Sequence, residues 1–411
     1  MEQSVPGVHP AIETSMKKIH PAPLERLMAR RFEQLKKGQL TIAFPSGHRQ
    51  VFGKGDLSPQ AVLEIHDLRL ILRMLFSGDL GLAESYLNGE WGTPNLSALL
   101  TVGAINLDEL SDALESGWLS KFQSRLRHAL RANTKRGSRR NIAAHYDLGN
   151  AFYRMWLDPT MTYSSALFAD DFNEPLSVAQ KRKYARLAEA LEITTGDRVL
   201  EIGCGWGGFA EFAASACGCE IVCLTLSTEQ AEFARRRMET AGLADRVDIR
   251  LQDYRDVDGV FDKIVSIEMF EAVGIKNWPV YFEAIRERLK PGGKAAIQTI
   301  TIDHERFDAY RRNPDFIQHY IFPGGVLPSP AKFLGNAAQQ GLTITDELFF
   351  GPSYAETLRR WQNDFLRAWP EIQDLGFDDR FRRMWLYYLC YSEVGFDTGT
   401  TDVAQFTLTR Q

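Results

Sequence analysis

Between residues 198 and 302, short apolar runs alternate with longer stretches whose apolar positions recur at helical spacing. Arg198–Ile202, Glu220–Leu226, Val247–Leu251, Lys263–Ile267 and Ala295–Ile302 read as strands. Phe209–Ala216, Glu229–Ala241 and Trp278–Leu289 read as helices, and the turn Lys290-Pro291-Gly292-Gly293-Lys294 stops the last of them. This order predicts a doubly wound α/β sheet, parallel and covered on both faces, with ligands at the carboxyl ends of its strands. The first 115 or so residues are patterned differently. Leu40-Thr41-Ile42-Ala43-Phe44 reads as a strand, while Ile65–Phe76 and Leu80–Leu87 read as helical stretches punctuated by glycine and proline. A smaller N-terminal α+β domain is expected there.

Charge changes the picture between these two regions. From Gly117 to Tyr146 there is no acidic residue, and Lys121, Arg125, Arg127, Arg131, Lys135, Arg136, Arg139 and Arg140 supply eight positive charges. Trp118, Leu119, Phe122, Leu126 and Leu130 recur at helical spacing within it. Such a helix is either an interdomain element with a solvated basic face or a device for docking on an anionic membrane surface. The stretch from Arg131 to Arg140 reads as a linker, which sets the expected domains at 1–140 and 141–411.

With 411 residues, 44% hydrophobic and 25% charged, the chain is long and apolar enough for two globular units. A net charge of −5 argues against a surface devoted to nucleic acid. No apolar run reaches the roughly 18 residues of a membrane span, and the N-terminus has no signal-peptide pattern. The expectation is a cytoplasmic protein. Five cysteines without a clustered histidine read as reduced thiols in packing roles, with no metal site.

The sharpest local signal is Val199-Leu200-Glu201-Ile202-Gly203-Cys204-Gly205-Trp206-Gly207-Gly208-Phe209, an apolar strand entering a glycine-rich turn and then a helix. Glycines let the backbone approach a ligand, and the helix start supplies unpaired N–H donors. Dinucleotide enzymes use a similar turn, but they commonly place an acidic residue after the second strand. Here that strand ends in Thr225-Leu226-Ser227.

The ordered motifs GCGWGG, LTLSTEQ, LQDYRD, SIEMFEAVG and LKPGGK resemble the S-adenosylmethionine site of class I methyltransferases, with their Rossmann-like fold. Together with HYDLGNAFYRMWLD, TYSSALF, YIFPGGVLPS, GPSYAETLRRW and YYLCYSEVGF, they resemble the cyclopropane-fatty-acid synthases and mycolic acid methyltransferases across residues 141–411. The segment SGDLGLAESYLNGEW extends the likeness into the N-terminal domain. The resemblance implies transfer of a methyl carbon from S-adenosylmethionine to the cis double bond of an unsaturated phospholipid acyl chain. It also implies peripheral membrane association, through residues 1–140, and a homodimer.

Matched motif by motif, the resemblance assigns Tyr163 and Ser164 to the methionine part of the cofactor. It gives Glu201, Gly203, Gly205, Trp206 and Gly207 to the turn, Thr225 and Gln230 to the ribose, and Asp253 and Tyr254 to the adenine. Gln230 is otherwise an exposed helix residue and Tyr254 a core aromatic. In the family the base is a bound bicarbonate. The matching positions are Glu271, Tyr354, Gln298 where the family has histidine, and the backbone at Ser165 and Ile300. Ser165 stands where a cysteine is usual, and Ser392 at a second cysteine position. Gln298 donates from its amide but cannot become cationic. Glu268 reads as a helix-start or cofactor-side residue.

A sulfonium methyl is electrophilic enough for an unactivated alkene if water is excluded and the partners are aligned. Aromatic faces can steady the resulting cation, and Tyr163, Phe168, Tyr320, Phe322, Tyr354 and Trp361 are candidates. Proton loss from the added methyl closes a cyclopropane, whereas loss from a chain carbon leaves a methyl-branched alkene. The sequence leaves both products open. The competing functions are a small-molecule N- or O-methyltransferase and a non-catalytic lipid-binding relative.

Overall fold

The computed structural model describes residues 23–53, 59–107, 110 and 148–411. The basic segment with its apolar stripe, and the boundary expected at 140, lie outside the described residues.

Helix α1 (Pro23–Phe32) leads into a four-stranded sheet of β1 (Gln39–Ala43), β2 (Arg49–Gly53), β3 (Gln60–Ile65) and β4 (Trp91–Gly92). Its order is β2-β1-β3-β4, with β1 parallel to β3 and the other pairs antiparallel. Ile65 belongs to a strand and not to a helix, because Ala61, Leu63 and Ile65 alternate onto the buried face. The helix starts only at Arg69, and the two expected helical stretches form one run, α2 (Arg69–Leu87), broken at Gly78. Helix α3 (Leu96–Ile105) follows, its first turn capped by the Asn95 side chain, which accepts from the Ala98 N–H.

Helices α4 (Gly149–Trp156) and α5 (Leu176–Ala190) precede the large sheet. Then come β5 (Arg198–Ile202), α6 (Gly208–Ala216), β6 (Glu220–Thr225), α7 (Thr228–Thr240), β7 (Val247–Leu251), β8 (Phe261–Ile267), α8 (Trp278–Arg288) and β9 (Leu289–Ile302). These five strands are parallel; β5 and β6 are buried along nearly their whole length, as strands covered on both faces are, while the edge strand β7 alternates buried with exposed positions. Chain order reverses between β5 and β8, which puts the topological switch point at the end of β5.

The sheet does not stop at β9. After α9 (His304–Tyr310) and α10 (Pro330–Gln339), β10 (Leu342–Phe349) forms the far edge. Two long helices, α11 (Gly351–Asp374) and α12 (Asp379–Asp397), follow, and β11 (Thr401–Arg410) then inserts antiparallel between β9 and β10. The order is β10-β11-β9-β8-β5-β6-β7.

Helices α11 and α12 join the two halves of the molecule. Trp361, Trp385 and Tyr387 share one apolar core with Leu40, Leu70 and Trp91 of the N-terminal half. Polar ties reinforce it: Ser97 donates to Glu393 at 2.5 Å, and the Tyr320 hydroxyl donates to Glu84 at 2.9 Å.

Candidate active site

A continuous cavity of about 1150 Å³ lies at the carboxyl ends of β5, β6 and β8. It continues between the two halves, where Met28, Leu40, Leu63, Ile71 and Leu99 wall it. Polar residues gather at one end and aliphatic ones at the other.

At the polar end, β5 delivers Glu201 and then the turn from Gly203. A side-chain carbon added at Gly205, where φ is 53°, would meet no atom within 4 Å, so this glycine faces open cavity. Gly207 differs: it caps α6 away from the cavity, and an added carbon would sit 3.2 Å from both Ala234 Cβ and Met238 Cε. Gly207, expected to touch the cofactor, does not line the cavity, and helix packing leaves no room for a side chain there. Trp206 lines the cavity, with its indole N–H donating to Asn150 at 2.6 Å and its ring 5.0 Å from Tyr153.

Thr225 and Gln230 meet where β6 enters α7, the Thr225 hydroxyl donating to Gln230 Oε1 at 3.0 Å. The amide NH2 of Gln230 is the end left for a ligand hydroxyl. Asp253 is gripped by Arg255, whose Nε and Nη2 donate at 2.8 and 2.6 Å, and Tyr254 beside it has its hydroxyl pushed up to about 12 by burial. Both line the cavity, as do Glu201, Tyr163 and Ser164. Glu201 accepts from the Cys223 thiol at 3.4 Å, and burial pushes its carboxyl up to about 8.

Sequence reasoning missed Lys183. It is fully buried on α5 and donates to Ser164 Oγ at 2.7 Å, while Gln180 one turn earlier donates to the Ser164 carbonyl at 2.9 Å. Burial pulls the Lys183 ammonium down to about 7 against the pull of Glu268, Asp158 and Glu201. The signal was present. Leu176, Ala179, Leu187 and these two polar residues share one helical stripe, and a lysine among apolar positions needs a buried partner.

Toward the middle of the cavity, three of the expected catalytic positions, Ser165, Gln298 and Tyr354, converge on a residue outside the expected set. Glu268 directly follows β8 with φ at 48°, and it lines the cavity. Its Oε1 accepts from the Ser165 N–H and from Gln298 Nε2, both at 2.8 Å, and its Oε2 accepts from the Tyr354 hydroxyl at 2.7 Å. Its carboxylate is thus held by donors from three separate segments, which a helix-start role does not account for. The Gln298 amide is oriented from behind, because Gln405 on β11 donates to its Oε1 at 3.0 Å. Burial raises the Glu268 carboxyl, opposed by Lys183, Tyr354, Gln298 and the Ser165 N–H.

Glu271 is turned toward β9. One oxygen accepts from the Ile300 N–H at 2.6 Å and from Thr299 at 2.9 Å, while the other is buried with no partner among the described residues. Burial first, then the neighbouring Glu268 charge, push this carboxyl up to about 7. Of the aromatic candidates, Tyr163, Phe322 and Tyr354 line the cavity. Phe168 instead packs under Arg360, Trp361 lies in the core, and Tyr320 reaches Glu84.

The arrangement can hold a polar, adenosine-sized group beside the glycine turn. It can exclude water from an apolar chain and present a carboxylate where the two meet. Residues 133–406 match the family model described as mycolic acid cyclopropane synthetase. Tuberculostearic acid methyltransferase UfaA1 of Mycobacterium tuberculosis is 45% identical over 341 residues, covering 81% of this chain and 79% of that protein. Cyclopropane-fatty-acyl-phospholipid synthase of Escherichia coli is 39% identical over 337 residues, covering 81% of this chain and 83% of the relative. Among solved structures, mycolic acid cyclopropane synthase CmaA1 complexed with SAH and CTAB superposes with a TM-score of 0.62 at 31% identity, over 66% of this chain and 98% of that one.

Proposed function

The chain belongs to the mycolic acid cyclopropane synthetase family of S-adenosylmethionine-dependent methyltransferases, and from that premise we propose that it modifies the cis double bond of an unsaturated phospholipid acyl chain. The product proposed is a cyclopropane fatty acyl group. A methyl-branched unsaturated chain is the second reading, favoured by glutamine at position 298 and by the 45% identical relative being named a methyltransferase.

The observation that carries this reading is the continuity of the cavity. An adenosine-sized polar end opens directly into an aliphatic channel between the two halves, and each chain methylene buried there contributes about 0.8 kcal/mol. A small-molecule N- or O-methyltransferase has no use for that channel. Bound at the glycine turn, S-adenosylmethionine supplies an electrophilic methyl group. Glu201, Thr225, Gln230 and Asp253 hold its adenosine part, and Tyr163 and Ser164 close over the methionine, with Ser164 fixed from behind by Lys183 and Gln180. The apolar walls align the alkene and keep water away, and the faces of Tyr163, Phe322 and Tyr354 steady positive charge on the chain.

No helix among the described residues is long and apolar enough to cross a membrane. The proposed substrate is a membrane lipid, and the chain collects it from a lipid surface. The basic segment 117–146 serves that docking, and a homodimer is the proposed assembly. The family's base, a bicarbonate ion, would need Glu271, Gln298, Tyr354 and the Ser165 and Ile300 N–H groups to hold it.

The test is incubation of the full chain with S-adenosylmethionine and vesicles of unsaturated phospholipid. Both products gain one CH2 and are isomers, so mass alone identifies methylation. Proton NMR, or uptake of hydrogen by the alkene alone, then separates ring from branch. Leu100→Trp, which fills the channel, should lower turnover at least tenfold while leaving S-adenosylhomocysteine affinity unchanged. Absence of any methylated lipid from the wild-type chain would refute the function.

A further inference from the structure

The groups that an external anion would need are already occupied. A bound anion in this centre would draw on the Ser165 N–H, the Gln298 amide and the Tyr354 hydroxyl. All three donate to one carboxylate of the chain itself, at 2.8, 2.8 and 2.7 Å. Gln298 cannot turn away to serve another acceptor, because its carbonyl end is held by Gln405. The Ile300 N–H is likewise committed, to Glu271 at 2.6 Å. An added anion would also stand beside the carboxylates of Glu268 and Glu271. Like charges about 4 Å apart repel by about 4 kcal/mol at an effective dielectric constant near 20.

We propose that the carboxylate of Glu268 is itself the proton acceptor of the reaction, in place of a bicarbonate ion. The assignment rests on the lipid-methylation reading above and specifies its base. Glu268 lines the cavity where the polar and apolar ends meet, which is where the methylated chain must lose its proton. In that step a C–H bond of the cationic chain breaks. Its electron pair closes the third bond of the ring, or forms the new double bond in the branched product, and the proton moves to a Glu268 oxygen. The chain becomes neutral and Glu268 becomes a carboxylic acid, which returns its proton to water once the product has left. The geometry suits both states. Three donors and the nearby Lys183 charge favour the carboxylate, and burial makes the acid easy to form. Gln298 fits the same logic, since a neutral amide donor steadies Glu268 without competing for the proton as histidine would.

The experiment compares wild-type turnover on unsaturated phospholipid vesicles in carbon-dioxide-free buffer with turnover in the same buffer plus bicarbonate. It also measures Glu268→Gln for turnover and for S-adenosylhomocysteine affinity. The expected result is a wild-type rate indifferent to bicarbonate. Glu268→Gln should lose about 100-fold or more, the usual contribution of a positioned base, with cofactor-product affinity retained. A wild-type rate that collapses without bicarbonate and recovers saturably on its addition overturns the assignment, and that measurement needs no variant to fold. Wild-type-like turnover in Glu268→Gln overturns it too. In both cases methylated lipid is still made, so the function above stands. A wild type that makes no methylated lipid removes the function and this assignment together.

Discussion

The two glycines of the cofactor turn offer a paired test, because the structure gives them opposite reasons to be glycine. Gly205 has φ at 53° and open cavity where a side chain would stand, and Gly207 has φ at 80° and two carbons of α7 at 3.2 Å. Alanine at either site meets the left-handed backbone penalty of about 1–2 kcal/mol. For Gly207→Ala the tight approach to Ala234 and Met238 adds to this, so the variant should lose stability more than Gly205→Ala does. In a domain of 150–250 residues, about 1 kcal/mol moves the melting temperature by roughly 2–4 °C. Binding should respond in the reverse order. The methyl of Gly205→Ala occupies volume that the ligand needs, so its affinity for S-adenosylhomocysteine should fall at least tenfold, about 1.4 kcal/mol. Gly207→Ala, when folded, should bind within about threefold of wild type, or roughly 0.6 kcal/mol. Calorimetric titration gives the affinities and thermal melting the stabilities. Unchanged affinity in a folded Gly205→Ala, or an equal loss in both variants, would refute the placement of the ligand against Gly205.

The buried Glu201 predicts a pH signature. Its folded-state carboxyl titrates near 8, well above an exposed glutamate, so between the two values the folded chain holds a proton that the unfolded chain has released. That contribution to stability declines as pH rises through this window, so the melting temperature of Glu201→Gln relative to wild type should climb from pH 5 to pH 8. A flat difference would remove the buried, protonated carboxyl from the account. For the basic segment, replacing Arg125, Arg127, Lys135 and Arg136 with glutamine removes up to about 4 kcal/mol of attraction to an anionic membrane, at about 1 kcal/mol per charge. Sedimentation with anionic vesicles at low salt should fall while S-adenosylhomocysteine affinity stays. Equal vesicle binding by both proteins would mean that the segment is an interdomain helix.

Where structure depends on near neighbours in sequence, it was legible from the sequence. Apolar runs and helical spacing located the five parallel strands and the helices between them, because burial on both faces of a sheet leaves a continuous apolar mark. The turn from Gly203 to Gly208 was legible for the same reason, since strand, turn and helix start are contiguous. The break near Gly78 is legible from its glycine, whereas Ile65, the last residue of its strand, reads as the start of the following helix because one strand-end residue shows no alternation of its own. Local pattern could not reveal β11, which enters the sheet between β9 and β10 only after the α11–α12 hairpin has intervened. Glu268 makes the point most sharply. Its meaning depends on an N–H at position 165, an amide at 298 and a hydroxyl at 354, with the amide turned by Gln405 from a strand more than a hundred residues further on. In SIEMFEAVG the resemblance singles out Glu271 and leaves Glu268 as a helix-start or cofactor-side residue. Tertiary structure separates them, because a buried charge is defined by the donors the fold brings to it, and those donors come from segments that only the packed sheet places side by side.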